Sequence, residues 1–261
     1  QLVDYGLLKN SWLSKFFIYL EKILINNSRG IVVLDKSGFN YLKSNFKLNS
    51  PVEIIPTATN IKKFNLNKKE NLTLEKKIKF VLVGSANFPY LPQKALIFLK
   101  ILLKNKIDCT LDIINKDDHK YIKDIINEIN FPRNRVKIFS LKPKDIHKIL
   151  PNYHCGLVFI KTGTWIKMSS PTKIGEYLAA GLHVIGLEGI EVLDRLSKET
   201  KCVDVLPEDF SHKNIDIYKI DSLVHKIRDK DRRKNSFDIA KKYYDINTAL
   251  IKYLKLYQNH N

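Results

Sequence analysis

From residue 78 onward the sequence alternates short, β-branched apolar runs with segments of helical period, and this alternation restricts the fold more than any other feature. The runs are IKFVLV (78–83), CTLDII (109–114), RVKIF (135–139), CGLVFI (155–160), HVIGL (183–187) and KCVDV (201–205). Amphipathic stretches lie between them at 92–104, 118–130, 144–150, 171–180 and 189–198. Strands that are apolar along their whole length must be covered on both faces, and helical crossovers between them make them parallel. Six such strands with right-handed crossovers predict one complete doubly wound, Rossmann-like α/β domain with strand order 3-2-1-4-5-6.

The front of the chain is built differently. Residues 12–26 predict an amphipathic helix, 31–34 (IVVL) a strand, 37–46 a second helix and 52–56 (VEIIP) a strand stopped by Pro56. Two strands and two helices cannot close a doubly wound sheet, so this portion reads as the C-terminal remnant of a preceding Rossmann-like domain. The tail, 236–257, is one helical stretch carrying Tyr243, Tyr244, Tyr253, Leu254, Leu256 and Tyr257, a pattern that predicts packing against the front portion. The expected organisation is therefore 1–60 as the remnant and crossover, 61–235 as the ligand-binding domain, and 236–261 as a helix returning to the front.

Bulk properties narrow the setting. The longest apolar runs are too short to span a bilayer, and no secretory signal is visible. The chain opens on Gln1 rather than Met, so an upstream segment is expected. Cys109, Cys155 and Cys202 lie far apart in apolar runs without metal-ligand spacing, which predicts reduced, buried thiols in a cytoplasmic protein. The net charge of +18 either marks an anionic partner or reflects a Lys-, Ile- and Asn-rich bias that touches every segment.

The segment SSPTKIGEYLAAGLHVI (169–185) carries the chemistry. Ser170 suits an N-cap, Pro171 the first helical position and Gly181 the position just past the helix. The helix starts at the carboxyl edge of the sheet, where doubly wound folds bind ligands. Its free N–H groups and dipole favour a diphosphate, and Lys173 in the first turn adds a full positive charge. Glu176, three residues on, shares that face and can accept hydrogen bonds from two ribose hydroxyls. On spacing alone, a capped surface helix with a solvated Lys173–Glu176 ion pair explains the same residues at least as well.

The same segment resembles the donor-site motif of glycosyltransferase family 4, in the subgroup reading Ser-Pro-Thr-Lys, Glu-Tyr-Leu-Ala, Gly-Leu-Pro-Val-Ile. Further resemblances follow in the family's order. IVVLDKSGFNYLKSNF (31–46) and VEIIPTATNIKKF (52–64) resemble the last strand-helix of its front domain and the crossover, and IKFVLVGSANF (78–88) resembles the first strand and glycine loop of its rear domain. YHCGLVFIKTGTWIKM (153–168) resembles the approach to the donor motif, and the Tyr-rich tail resembles the returning helix. The resemblance implies the two-domain GT-B fold and a retaining transfer of sugar from a nucleotide-sugar to a glycan or lipid-linked acceptor, in polysaccharide or lipopolysaccharide synthesis. The sugar nucleotide is then a substrate; no cofactor and no metal are expected.

Residue by residue, the resemblance makes Lys173 and Glu176 the candidate catalytic pair, with Glu176 on the donor ribose. Ser170, Pro171, Thr172 and Lys173 fall near the phosphates. Gly84 and Ser85 form the loop that approaches the diphosphate, Lys161 is a second phosphate cation with Lys94 a lesser candidate, and Gly189 approaches the donor sugar. Two departures stand out: Met168 occupies the place of an earlier Glu found in many members, and Ser85 the place of an Arg. His183 stands in place of a Pro, as a neutral change at a strand start. With most of a front domain absent, the chain by itself is expected to bind donor without transferring it.

Other readings are weaker. His119, His147 and His154 read as surface or strand-edge residues without a nucleophile partner, and no Walker or GxGxxG pattern follows a strand. Two basic clusters, 62–79 (Lys62, Lys63, Lys68, Lys69, Lys76, Lys77, Lys79) and 226–242 (Lys226, Arg228, Lys230, Arg232, Arg233, Lys234, Lys241, Lys242), suit solvated faces or attraction to an anionic membrane surface. The aromatics of 12–26 suit either packing against a front domain or interfacial anchoring. The dispersal of basic residues argues against nucleic acid as a partner.

Overall fold

The computed structural model describes residues 12–64, 66, 76–116, 119–163, 165–211 and 216–258. At the front lie α1 (Trp12–Asn27), β1 (Ile31–Val33), α2 (Lys36–Asn45) and β2 (Val52–Ile54), with β1 and β2 paired in parallel as a small sheet of their own. The main domain follows as β3 (Ile78–Val83), α3 (Pro92–Lys104), β4 (Cys109–Ile114), α4 (His119–Glu128), β5 (Val136–Phe139), α5 (Pro143–Ile149), β6 (Cys155–Val158), α6 (Thr172–Ala179), β7 (His183–Leu187), α7 (Glu191–Glu199) and β8 (Val203–Leu206). Then come α8 (Ile217–Arg228), α9 (Arg232–Tyr243) and α10 (Ile246–Gln258).

The main sheet is wholly parallel in the order β5-β4-β3-β6-β7-β8, the doubly wound order expected from the alternation. Chain direction across the sheet reverses between β3 and β6, which opens a crevice at their carboxyl ends. Two apolar layers cover the faces. One, beneath α3 and α4, includes the rings of Phe80, Phe98, Phe159 and Phe210, with Phe98 edge-on to the other three at 6.0–6.2 Å. The other, beneath α6 and α7, is centred on Tyr177, which is fully buried and accepts a hydrogen bond from the Val83 N–H at 2.9 Å.

The tail departs from its expected form. It is two helices rather than one, and α8 ahead of it was not anticipated. The break has a tertiary cause: Thr59 donates its N–H to the Tyr244 carbonyl at 2.7 Å and accepts from the Ile246 N–H at 3.1 Å. The crossover thus captures the tail backbone in a parallel bridge and interrupts the helix. Beyond the break, Leu256 of α10 seats against Gly30, and Lys252 Nζ donates to the Ile54 carbonyl at 2.8 Å. The outer sides of α1 and α10, including Trp12, Phe16, Tyr19, Leu250 and Tyr257, are exposed.

Several side chains sit deeper than their residue types suggested. His154 is buried rather than on the surface, because its Nδ1 accepts the Lys79 N–H at 3.0 Å. His183 is more than a neutral change: it is fully buried, with Nε2 2.8 Å from Asp204 Oδ2, while Lys226 holds the other Asp204 oxygen at 2.7 Å. Burial holds its pKa below the usual imidazole value. The 226–242 cluster is correspondingly not one open basic face. Lys226 is paired, and Arg232 and Arg233 are buried, the former donating to the Ile227 carbonyl. Lys68 and Lys69 of the other cluster lie outside the described residues. The three cysteines are unpaired and buried, with desolvation pushing the Cys109 thiol up to about 12.

Asp35 caps α2, its Oδ1 accepting the Gly38 N–H at 2.8 Å. Burial, aided by the Glu191 charge and opposed by the Gly38 and Ser37 N–H groups and by Arg195, raises its pKa from 3.8 to about 6. Between those two values the folded chain binds more proton than the unfolded chain, so this group's contribution to stability falls as pH rises and is fully unfavourable above about 6. Asp35→Asn keeps the capping oxygen and removes the charge. It should raise stability at pH 7 by about 1–3 kcal/mol and lose that advantage below pH about 4, a difference that paired thermal melts at the two pH values would register.

Candidate functional site

The crevice between β3 and β6 is shaped first by the turn after β3. Gly84 has φ +154°, donates its N–H to the Ile114 carbonyl at 3.2 Å and accepts from Asn115 Nδ2 at 2.8 Å. A Cβ at Gly84 would be strained by that φ and would lie a tight 3.1 Å from the Tyr90 ring, so the protein's own backbone already favours glycine there. Ser85 turns its Oγ back to accept the Asn87 N–H at 3.1 Å. Asn115 is held in turn, its carbonyl accepting from Ser140 Oγ at 2.7 Å and lying 3.0 Å from His119 Nε2. The loop that meets any ligand is therefore braced by the ends of β4 and β5.

Across from it stands the start of α6. Ser170 is not the N-cap expected of it; Pro171 occupies that place, and no side chain caps the helix. The crossover takes Ser170 instead: Thr57 donates its N–H to Ser170 Oγ at 3.3 Å and its hydroxyl to the Ser170 carbonyl at 2.5 Å. The first amides of a helix have no intrahelical acceptor. Here they also lack a side-chain cap, which leaves Thr172 and Lys173 presenting an anion-binding end. Gly181 lies just past the helix with φ +76°, as expected.

Lys173, Gly84 and Ser85 line one cleft of about 240 Å³, together with Asn115, Lys116 and Ile146. Lys173 Nζ lies 2.6 Å from Glu176 Oε2, and both side chains are only 24% exposed. The ion pair thus exists and is half-buried; Lys173 lines the cleft, and Glu176 does not. Its cation can turn to a phosphate and its carboxylate to ribose hydroxyls. Tyr177, the next residue, fixes the helix by passing beneath β6 to Val83.

The remaining candidates group elsewhere. Gly189 has φ +94°, and its N–H already bonds both oxygens of Asp194 at 3.2 and 3.0 Å. A Cβ there would come within 2.9 Å of Thr162 Cγ2, so Gly189 and the 161–162 segment form a neighbouring rim. Lys161 is exposed on that rim, with its N–H on the Pro89 carbonyl at 2.8 Å. Lys94 does not line the cleft; its Nζ sits 5.0 Å above the Phe210 ring. Met168 closes a short helical turn just ahead of the donor-type motif. Asn115 and Lys116 were missed at the level of sequence. Their position one and two residues past β4 was the available signal. Among the described residues there is no cluster of three or more metal-ligating side chains.

No protein-family profile matches the sequence, and no curated protein matches it. Solved structures do. WaaG, a glycosyltransferase of lipopolysaccharide biosynthesis, superposes with a TM-score of 0.65 at 14% identity over 88% of this chain and 64% of its own. HepE from Anabaena, solved with UDP and glucose, gives 0.69 at 12% identity over 94% and 67%. TarM gives 0.70 at 10% identity over 93% and 46%. The chain spans between about half and two thirds of these proteins. At such identities the likeness establishes the architecture, that of GT-B glycosyltransferases, and not the reaction.

Proposed function

We propose that this chain is the donor-binding part of a retaining glycosyltransferase of family 4 type, moving sugar from a nucleotide-sugar to a glycan or lipid-linked acceptor in cell-surface polysaccharide or lipopolysaccharide synthesis. The observation that carries the reading is Lys173 at the uncapped start of α6, lining one cleft with the Gly84–Ser85 turn at the point where the sheet reverses. A diphosphate there would meet Lys173, the first-turn amides and the turn after β3, with Lys116 as a further cation. Glu176 would take the ribose. The architecture shared with glycosyltransferases supports the same direction.

In the transfer itself, these groups would hold the leaving nucleoside diphosphate. As the bond to the sugar breaks, negative charge grows on the β-phosphate, and a fixed ammonium with oriented amides stabilises it more than it stabilises the bound donor. The test is a panel of UDP-, GDP- and ADP-sugars against the 261-residue chain, read by thermal shift and calorimetry. At least one should bind, with little or no sugar transfer from this chain alone. Tight binding to an oligonucleotide with no response to any nucleotide-sugar would sink the reading.

A cytoplasmic setting with peripheral attraction to the membrane belongs to the same proposal. Among the described residues no helix is long and apolar enough to cross a membrane. Support comes from the exposed Lys230, Lys234 and Lys241 and the exposed aromatics of α1. Binding to vesicles rich in anionic lipid should be strong at low salt and fade as ionic strength rises; equal binding to neutral vesicles would discard it.

A further inference from the structure

The start of α6 is open because the hydroxyl best placed to close it is held by another segment. Ser170 has the residue type that caps helices, and it stands two and three residues ahead of the Thr172 and Lys173 amides. It is 3% exposed, so its hydroxyl depends on protein partners rather than on solvent. Those partners lie on the crossover, at Thr57, and α6 carries no side-chain cap.

Counting protons fixes the direction of each bond. A hydroxyl has one hydrogen to donate. The Thr57 hydroxyl lies 2.5 Å from the Ser170 carbonyl, which can only accept, so its hydrogen goes there. At the 3.1 Å contact between the two hydroxyls, Ser170 is therefore the donor and Thr57 the acceptor. Ser170 Oγ also accepts the Thr57 N–H at 3.3 Å. Thr57 does not rely on Ser170 for its own place. Two residues on, Thr59 is bonded to Tyr244 and Ile246, and a Cβ on Gly175 of α6 would come within 2.5 Å of Thr59 Oγ1. The crossover is thus a fixed edge against which α6 is set.

We propose that Thr57 is a positioning residue of the donor site: by holding Ser170 it keeps the Thr172 and Lys173 amides open to phosphate beside the Lys173 ammonium. The inference rests on the donor reading of the cleft given above. Thr57 acts through Ser170 rather than on the phosphates. Without the Thr57 hydroxyl, Ser170 would lose the acceptor for its hydrogen and keep only the long 3.3 Å bond from the backbone. It would then turn to the nearest orphan donors, the first amides of α6. There it would compete with the diphosphate.

The test compares Thr57→Val, which keeps the shape and removes the hydroxyl, with Thr57→Ser, which keeps the hydroxyl, in the 261-residue chain. Calorimetric titration with UDP, GDP and ADP, and with uridine, guanosine and adenosine, reads binding, and amide hydrogen exchange reads Thr172 and Lys173. Thr57→Val should weaken the nucleoside diphosphate about fivefold, the worth of one helix cap. It should leave the matching nucleoside unchanged and slow exchange at both amides in the unliganded chain. Thr57→Ser should keep the parent values. In a Ser170→Ala background, Thr57→Val should cost little further, because no hydroxyl is left to cap. A purely structural role for Thr57 gives the opposite: faster exchange, nucleoside and diphosphate weakened alike, and the same loss in both backgrounds. Any of these overturns the proposal, as does parent-like diphosphate binding by Thr57→Val. If the parent chain binds no nucleoside diphosphate, the donor reading itself fails and takes this role with it.

Discussion

Replacing Lys173 with alanine should weaken nucleoside diphosphate binding at least about tenfold while leaving nucleoside binding nearly unchanged. The lost charge-assisted hydrogen bond is worth roughly 1.5–3 kcal/mol, which is about one to two decades of affinity. The effect should lie at the upper end, because Glu176 sits 2.6 Å from Lys173 Nζ. With the ammonium gone, an unpaired carboxylate would face the phosphates. Glu176→Ala should weaken both ligands, since both carry the ribose. Its effect on the diphosphate should be partly offset, because Lys173 is then released from its own partner. Neither side chain belongs to the buried core, so both variants should stay folded. Calorimetric titration of each variant with nucleoside and nucleoside diphosphate distinguishes the cases. If both bind the diphosphate like the parent, the pair is a local ion pair and the site lies elsewhere.

The largest stability loss should follow Gly156→Ala in the middle of β6. A Cβ there would lie 2.3, 2.4 and 2.7 Å from Cδ2, Cγ and Cε2 of Tyr177, inside any permissible contact. The ring cannot simply retreat. It is fully buried, and its hydroxyl accepts the Val83 N–H at 2.9 Å, so displacing it strands a buried donor. Overpacking costs about 1–3 kcal/mol, and the stranded group about 1–3 more. A total of at least ~3 kcal/mol corresponds to a fall in Tm of roughly 6–12 °C for a chain of this size. Because Tyr177 anchors α6 beside Glu176, donor binding should suffer as well. Shrinking the ring with Tyr177→Leu should recover part of the Gly156→Ala loss, since the two positions are coupled. Melts of both single variants and the double variant measure this; an unchanged Tm for Gly156→Ala would contradict the packing argument.

Both expectations combine a feature visible in the sequence with one that was not. The run CGLVFI announced a buried strand, but nothing in it showed that Gly156 leaves room for a ring 21 residues later. Lys173 and Glu176 were legible as a spaced pair on one helix face. The same spacing fitted a solvated ion pair equally well. Only the position of the turn at Gly84, distant in sequence, set Lys173 at a cleft.

Local pattern therefore determined what local physics can determine. Continuous apolar runs and period-3.6 hydrophobicity placed the strands β3–β8 and the helices α3–α7 to within a few residues. Of the doubly wound orders that right-handed crossovers allow, the expected 3-2-1-4-5-6 is the one found. What the tertiary structure decided is which partner each polar group meets. Ser170 had the residue type of a cap, yet Thr57, distant in sequence, claims it. The tail had the pattern of one helix, yet Thr59 breaks it at Tyr244. Asp35 and Glu191, far apart along the chain, come to line one cavity. Hydrophobic burial follows the periodicity of the chain and can be read along it. A hydrogen bond is satisfied by whichever donor the folded backbone brings within about 3 Å, and that is known only once the fold is closed.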